Sequence, residues 1–431
     1  MPTMCFQDDR PLSVAQFYSA FPSPWGGLQT YARFKVGELS PALKEAFCQY
    51  GIVKITDVFE PAEVERCMNV IKALSGLEDS DFPAVAQGTT DSFIFPGGIG
   101  HCPDLWPLVS DATVRKALDL LIDEPVCMIT NTIGANFSSP GLHRDSVLDR
   151  PGTLDHDPGH YLIQVVIHAN GPGRPKNSLA FIPFSHQRSI YARKSREAGV
   201  VHPADFFLIH HSVKMRALES GDCTELLEME RHIMKVDIDP GDIVLFDTRL
   251  IHSGDVLSSP KYMVINKYGP HSFFNDDLLI DVYKNTAPPN DCDFPEPFIE
   301  FLRRHDLMAP EAERALMAVD RVVLRNLAML RPGSPMFIYG AGSAGRSFRV
   351  LLAERKLPDV QGFIDTNFSG EVDGLRCYSL SEYKEIHSKA HTILIVSTYG
   401  DEIRAGLEAV GIEGALDAFR FVKKKGNPYA F

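Results

Sequence analysis

From Ser40 onward the apolar and polar positions fall into readable elements, whereas residues 1–40 carry little pattern. Ser40-Pro41-Ala42-Leu43 places a capping hydroxyl and then a proline, so a helix is expected from there to Tyr50-Gly51. Ile52-Val53-Lys54-Ile55 reads as a short strand, and Pro61-Ala62-Glu63-Val64-Glu65 opens a second helix running to about Leu74. Six stretches rich in Val, Ile, Phe and Tyr follow, at 126–133, 160–169, 178–183, 232–238, 242–252 and 261–268. Gly and Pro turns separate them, which predicts a jelly roll or barrel.

The pattern then changes twice. Pro288-Pro289-Asn290-Asp291 and Pro295-Glu296-Pro297 break the chain, and a helix is expected from Pro310 to Met329. Beyond Arg331-Pro332-Gly333-Ser334-Pro335, strands at Met336–Tyr339, Val360–Ile364 and His391–Ser397 alternate with helices at Ala344–Glu354 and Asp401–Val410. That alternation predicts a parallel sheet with crossover helices. The expected organisation is a β-rich domain at 1–275, a helical connector at 276–335 and an α/β domain at 336–431.

Composition narrows the function. The 431 residues are 44% hydrophobic and 23% charged, as in globular proteins, with a net charge of −13. An acidic chain is a poor partner for nucleic acid or an anionic membrane surface. No apolar run approaches the roughly 18–20 residues that span a bilayer, and the first ten residues lack the pattern of a signal peptide. The eight cysteines form no CxxC pair, so reduced thiols and a cytoplasmic location are expected. Oligomeric state is left open.

Gly141-Leu142-His143-Arg144-Asp145 holds the one H-x-D of the chain. Residues i and i+2 of an extended segment point to one side, so His143 and Asp145 can offer a nitrogen and an oxygen to one ion. His252 ends the run from Pro240-Gly241-Asp242 through Ile243–Ile251, where a strand gives out into Ser253-Gly254. Two histidines and one carboxylate on one octahedral face are the ligand set of non-heme Fe(II) oxygenases. His143 and His252 are 109 residues apart, so only tertiary structure can join them.

Four segments in order resemble the phytanoyl-CoA dioxygenase family of Fe(II)/2-oxoglutarate oxygenases. They are Leu43 to Leu74 with Tyr50-Gly51-Ile52-Val53, the H-x-D, the segment from Asn177 to Pro183-Phe184-Ser185-His186, and the Gly-Asp strand leading to His252. The resemblance implies a double-stranded β-helix, or jelly-roll, core with flanking helices. It also implies iron held by His143, Asp145 and His252, with 2-oxoglutarate and O₂ as co-substrates. Decarboxylation of 2-oxoglutarate to succinate would be coupled to hydroxylation of a small-molecule C–H. Halogenases of this kind replace the carboxylate with a small residue, so Asp145 favours hydroxylation or a related oxidation.

Two departures stand out. Phe184 replaces a glycine of the family segment, which is expected to alter the turn because Phe resists positive φ. The family's arginine for the far carboxylate of 2-oxoglutarate is replaced by Lys261, which supplies charge without a bidentate fork. Arg249 faces away from His252 by strand alternation, and Lys267 is the fallback on the face of Lys261. Gln164, Asn131 and Thr130 are candidate polar contacts to 2-oxoglutarate, each equally readable as a residue bonding backbone. His101, His156, His160, His168, His210 and His211 read mostly as structural or exposed, and His186 as a turn-stabilising residue. Loops 84–104, 146–160 and 187–230 are expected to meet the substrate, the last as a lid.

Phe337-Ile338-Tyr339-Gly340-Ala341-Gly342-Ser343-Ala344-Gly345 is a strand, then G-x-G-x-x-G, then a helix, with Asp365 closing the next strand. Gly340, Gly342 and Gly345 could cradle a phosphate and Asp365 a ribose. The segment resembles the small Rossmann-like domains of sugar-nucleotide-modifying enzymes. It reads as a nucleotide-binding module, as a structural or dimerising module, or, with least support, as a redox NAD site. The leading expectation is a 2-oxoglutarate-dependent hydroxylase of a nucleotide-sugar, lipid or secondary-metabolite substrate. The alternative is an altered oxygenase fold that binds a nucleotide-sugar without turnover.

Overall fold

The computed structural model describes residues 29–82, 92–136, 162–170, 177–187, 231–254, 260–273, 294–330, 333–357 and 359–422, with 220–222, 224 and 227. They gather into two compact units, one within 29–273 plus 294–308, the other within 309–422. The stretch expected as a connector is therefore shared. Helix Glu296–Arg304 belongs to the first unit and helix Pro310–Val322 to the second.

The first unit holds β1 (Ala32–Lys35), β2 (Ile52–Thr56), β3 (Phe93–Pro96), β4 (Val126–Ala135), β5 (Ile163–His168), β6 (Asn177–Phe181), β7 (Met234–Ile238), β8 (Ile243–Asp247), β9 (His252–Gly254) and β10 (Tyr262–Pro270). A seven-stranded sheet runs β1-β2-β8-β5-β10-β4-β3 and a three-stranded sheet β7-β6-β9. Pairing is antiparallel throughout, except between β1 and β2. From β4 to β10 the chain passes repeatedly between the two sheets, as a jelly roll does. Both edges of the large sheet are four-residue strands: β1 carries Arg33 and Lys35, and β3 ends in Pro96.

Cross-strand register identifies which side chains face inward. Thr130, Lys267, Gln164 and Phe246 stand opposite one another in one row across four strands. The Phe246 ring lies 4.4 Å from the His252 ring on the small sheet, so this row faces the interior. Two and four residues along β5, Val166 and His168 share that face.

The opposite face is covered by helices. Helices Ala42–Tyr50 and Pro61–Ser75 end at Gly51 and Gly76, both in the left-handed conformation. They bury Leu43, Phe47, Val64, Met68 and Ile71, each worth roughly 1.5–3 kcal/mol of transfer free energy. Tyr268 donates its hydroxyl to the Val109 carbonyl at 3.2 Å, and Tyr262 donates to Asp79 at 2.8 Å. No helix among the described residues is long and apolar enough to cross a membrane.

In the second unit the sheet order is β13 (Gly370–Val372), β14 (Leu375–Tyr378), β12 (Val360–Ile364), β11 (Met336–Tyr339), β15 (Thr392–Ile395), β16 (Leu416–Asp417). All neighbours are parallel except β13 and β14. The order reverses at β11, with β12 and β14 to one side and β15 and β16 to the other. The helix expected to reach Met329 stops at Val322 because the chain turns extended there. Val323 bridges Asp417, and the Leu324 N–H donates to the Asp417 carbonyl at 2.8 Å. Arg404 donates to the carbonyls of Val322 (2.6 Å) and Ala415.

Helix Ser343–Glu354 crosses β11 closely at Gly345, where an added Cβ would meet the Gly340 carbonyl oxygen at 1.9 Å and Ile338 Cγ2 at 3.1 Å. At Gly342 an added Cβ would meet nothing within 4 Å. Gly345→Ala should therefore destabilise the second unit by about 3 kcal/mol. Gly342→Ala should cost within about 1 kcal/mol. Urea unfolding followed by circular dichroism checks the contrast, and equal midpoints for the two variants would contradict it.

Candidate active site

His252 opens β9 beside Phe181 of β6 and is 4% exposed. The backbone before it is clamped on both sides. Ile251 donates its N–H to Ser185 Oγ at 2.8 Å, and its carbonyl accepts the Ile182 N–H at 2.8 Å. His252 Nδ1 lies 2.9 Å from the Leu250 carbonyl. A carbonyl only accepts, so Nδ1 carries a proton and, in the neutral ring, Nε2 carries the lone pair.

The turn that supplies Ser185 is built on Phe184 at φ 64°. The sequence predicts an altered turn at this position. Instead the left-handed conformation is kept, and Phe184 bears its cost, about 1–2 kcal/mol. Surrounding packing over-determines it. The Phe184 ring lies 6.0 Å from that of Tyr50, and His186 Nε2 lies 3.1 Å from the Cys48 carbonyl. Gly51 fits against this turn only as glycine, since a Cβ there would fall 2.3 Å from His186 Nδ1.

Lys261 precedes β10 and is buried. Its N–H donates to Asn136 Oδ1 at 3.0 Å, and its carbonyl accepts the Asn136 N–H at 2.6 Å. Burial, then the charges of Lys261 and Lys54, hold the His168 imidazole well below the ordinary histidine range. Lys54 has counter-ions of its own, Asp242 at 2.6 Å and Asp239 at 3.2 Å. Gln164 and Lys267 sit opposite one another on the inward face, in the row nearest His252.

Other sequence candidates are placed elsewhere. Asn131 lies one residue out of phase with that row, on the helix-covered face, and its Oδ1 accepts the Ile99 N–H at 2.9 Å. The structure does not bring it to His252. Arg249 grips Asp247 with two nitrogens, at 2.9 and 2.6 Å. His143 and Asp145 lie outside the described residues, as do 146–160 and most of 187–230. Among the described residues no three His, Cys, Asp or Glu side chains gather as a metal-holding group. Lys54 and Ser185 carry no functional signal in the sequence, where His168 reads as structural or exposed, and cross-strand register is what reveals the inward, buried position of His168.

In the second unit, loops at the C-terminal ends of β11, β12 and β15 lie side by side. Asp365 ties two of them, its carboxylate accepting the Ala341 N–H at 2.9 Å and the Asn367 N–H at 3.0 Å. Gly340, at φ 112°, approaches the Val396 carbonyl. Phe368 and Tyr399 project from the flanking loops, 47% and 67% exposed.

No family model matches the sequence, and no curated protein matches it. Among solved structures, the chain is similar to HygX from Streptomyces hygroscopicus with nickel and 2-oxoglutarate bound. Identity there is 16%, over 55% of this chain and 89% of that one, with a TM-score of 0.37. It is similar also to SnoN, the non-heme alpha ketoglutarate dependent epimerase from nogalamycin biosynthesis, at 12% identity over 53% and 82%, TM-score 0.36. EctD from S. alaskensis with bound Fe matches at 19% identity over 54% and 78%, TM-score 0.36.

Two outcomes follow from this geometry. Ser185→Ala should cost about 1–2 kcal/mol by leaving the buried Ile251 N–H unpartnered. A thermal melt of the purified chain reads this directly, and an unchanged midpoint would show that the clamp is not needed. His168 should make the first unit acid-sensitive. The unfolded chain takes a proton near the ordinary value of 6.5, and the folded site only at lower pH. Its contribution is complete above about pH 6.5 and is lost as pH falls toward the depressed folded value. The melting midpoint should drop between pH 7.5 and 5, and drop less in His168→Gln.

Proposed function

We propose that the first unit is an Fe(II)- and 2-oxoglutarate-dependent oxygenase of the phytanoyl-CoA dioxygenase kind. Its reaction is hydroxylation of an unactivated C–H in a small molecule: a nucleotide-linked sugar, a lipid or a secondary-metabolite intermediate. The observation that carries the reading is His252, buried, clamped by its backbone and oriented by the Leu250 carbonyl at Nδ1. With the H-x-D of His143 and Asp145 it completes the two-histidine, one-carboxylate set.

When bound, iron would activate O₂, the oxidant, with 2-oxoglutarate as the two-electron reductant that leaves as succinate and CO₂. The protein's part is orientation and exclusion of water. The Leu250 carbonyl holds the His252 ring, and Ser185 holds the strand that carries it. Phe246 covers one side of that ring with an apolar surface. Gln164 and Lys267 offer polar contacts in the adjacent row, and Lys261 offers charge to a far carboxylate. In the second unit, the Gly340–Gly345 loop is read as a Rossmann-like cradle for a nucleotide portion. The open space at Gly342 supports this, because neither packing nor a positive φ requires glycine there.

One assay tests the whole reading. His252→Ala, checked for folding by circular dichroism, should lose Fe(II)-dependent succinate release to background. Retained release would overturn the assignment. The lysine at position 261 in place of an arginine favours one second reading, a binding module that has lost turnover. That reading predicts 2-oxoglutarate binding by the wild-type chain without any succinate.

A further inference from the structure

We propose that Arg249 is a positioning residue for His252, acting through the buried carboxylate of Asp247 and the carbonyl of Leu250. This rests on the oxygenase reading above, in which His252 is a metal ligand. Asp247 ends β8 in the large sheet and His252 opens β9 in the small one, so the chain changes sheets within four residues. The direction in which the imidazole leaves the backbone depends on how that short turn is held.

Asp247 holds it with main chain and side chain together. Its carbonyl accepts the Leu250 N–H at 2.8 Å, which closes a four-residue turn. Its Oδ1 accepts the Arg249 N–H at 2.8 Å, the loop that an aspartate forms with the backbone two residues on. The start of the turn is anchored on two other segments. The Asp247 N–H donates to the Gly51 carbonyl at 2.9 Å, and the Thr248 N–H donates to the Leu162 carbonyl at 3.1 Å. The Leu250 carbonyl is thereby left facing His252 Nδ1 at 2.9 Å.

Asp247 is 1% exposed, and a carboxylate keeps its charge at that depth only with a counter-ion and hydrogen bonds. The partly buried Arg249 supplies both as a fork: Nε lies 2.9 Å from Oδ1 and Nη2 lies 2.6 Å from Oδ2. Two parallel bonds fix the plane of the carboxylate, and with it the Oδ1 that holds the turn. Contacts therefore run without a gap from guanidinium to carboxylate, to the turn, to the Leu250 carbonyl and to the ring. Without the fork the carboxylate is free to rotate or to take a proton, and the carbonyl that orients His252 loses its support. A lysine would keep the charge and lose the plane.

The test uses the full chain freed of metal and titrated with Mn(II), whose free-ion paramagnetic resonance signal disappears on binding. The difference between wild type and His252→Ala defines the site. Arg249→Leu should weaken Mn(II) there roughly tenfold, and Arg249→Lys should fall in between. Histidine ¹⁵N spectra of the metal-free chain supply a readout that a merely structural brace would not move. The signal that His252→Ala removes should show the proton on Nδ1 in wild type and shared between both nitrogens in Arg249→Leu. If Arg249→Leu folds and matches wild type in Mn(II) affinity and in tautomer, the positioning role is overturned while the oxygenase reading stands. If wild type and His252→Ala bind Mn(II) alike, that reading falls and this inference with it. Should Arg249→Leu not fold, Arg249→Lys carries the test, and wild-type affinity and tautomer in that variant overturn the proposal.

Discussion

A histidine is a dependable nitrogen donor only when its ring cannot turn and its proton cannot move. At His252 both conditions are met by main-chain atoms. The Leu250 carbonyl settles the proton, and the ladder through Ile251 settles where the ring starts. Everything else about the candidate site is arranged around that fixed point. The turn at 182–186 exists in its strained form because it must deliver Ser185 Oγ to Ile251. Gly51 and the end of the first helix exist in theirs because His186 occupies the space beside them.

The large sheet divides its labour by parity. One face buries polar and cationic groups with the small sheet, among them Thr130, Gln164, His168, Lys54 and Lys267. The other face takes the helices and their aliphatic side chains. A one-residue change of register would exchange the two sets, so β-bulges have to sit where they do no harm. The irregularity in the β10–β4 pair falls between Lys267 and Tyr268, after the inward row has been set.

Much of this was legible in the sequence. Five of the six β-rich stretches, the helix from Pro61 and the parallel pattern after Pro335 appear where local composition and turn residues put them, whereas 242–252 is two strands in different sheets, β8 ending at Asp247 and β9 opening at His252. What failed to show depended on partners far along the chain. Asn131 and Thr130 are adjacent and equally polar, and only pairing with β10 decides which looks inward. Phe184 holds a conformation that residue type disfavours, because its neighbours leave it no other. The helix after Pro310 stops early because Val323 is claimed by Asp417, nearly a hundred residues later. His168 carries no local signal, since its significance lies in burial and in the company of Lys261 and Lys54.

The short edges of the large sheet have a consequence for behaviour in a crowded solution. An open sheet presents unpaired N–H and C=O groups along its border, and these recruit strands from other molecules into aggregates. Here the borders offer little to recruit with. β1 is four residues long and studded with Arg33 and Lys35, and β3 is four residues long and ends in a proline that cannot donate. Short, charged and proline-ended borders of this kind disfavour edge-to-edge pairing along the large sheet.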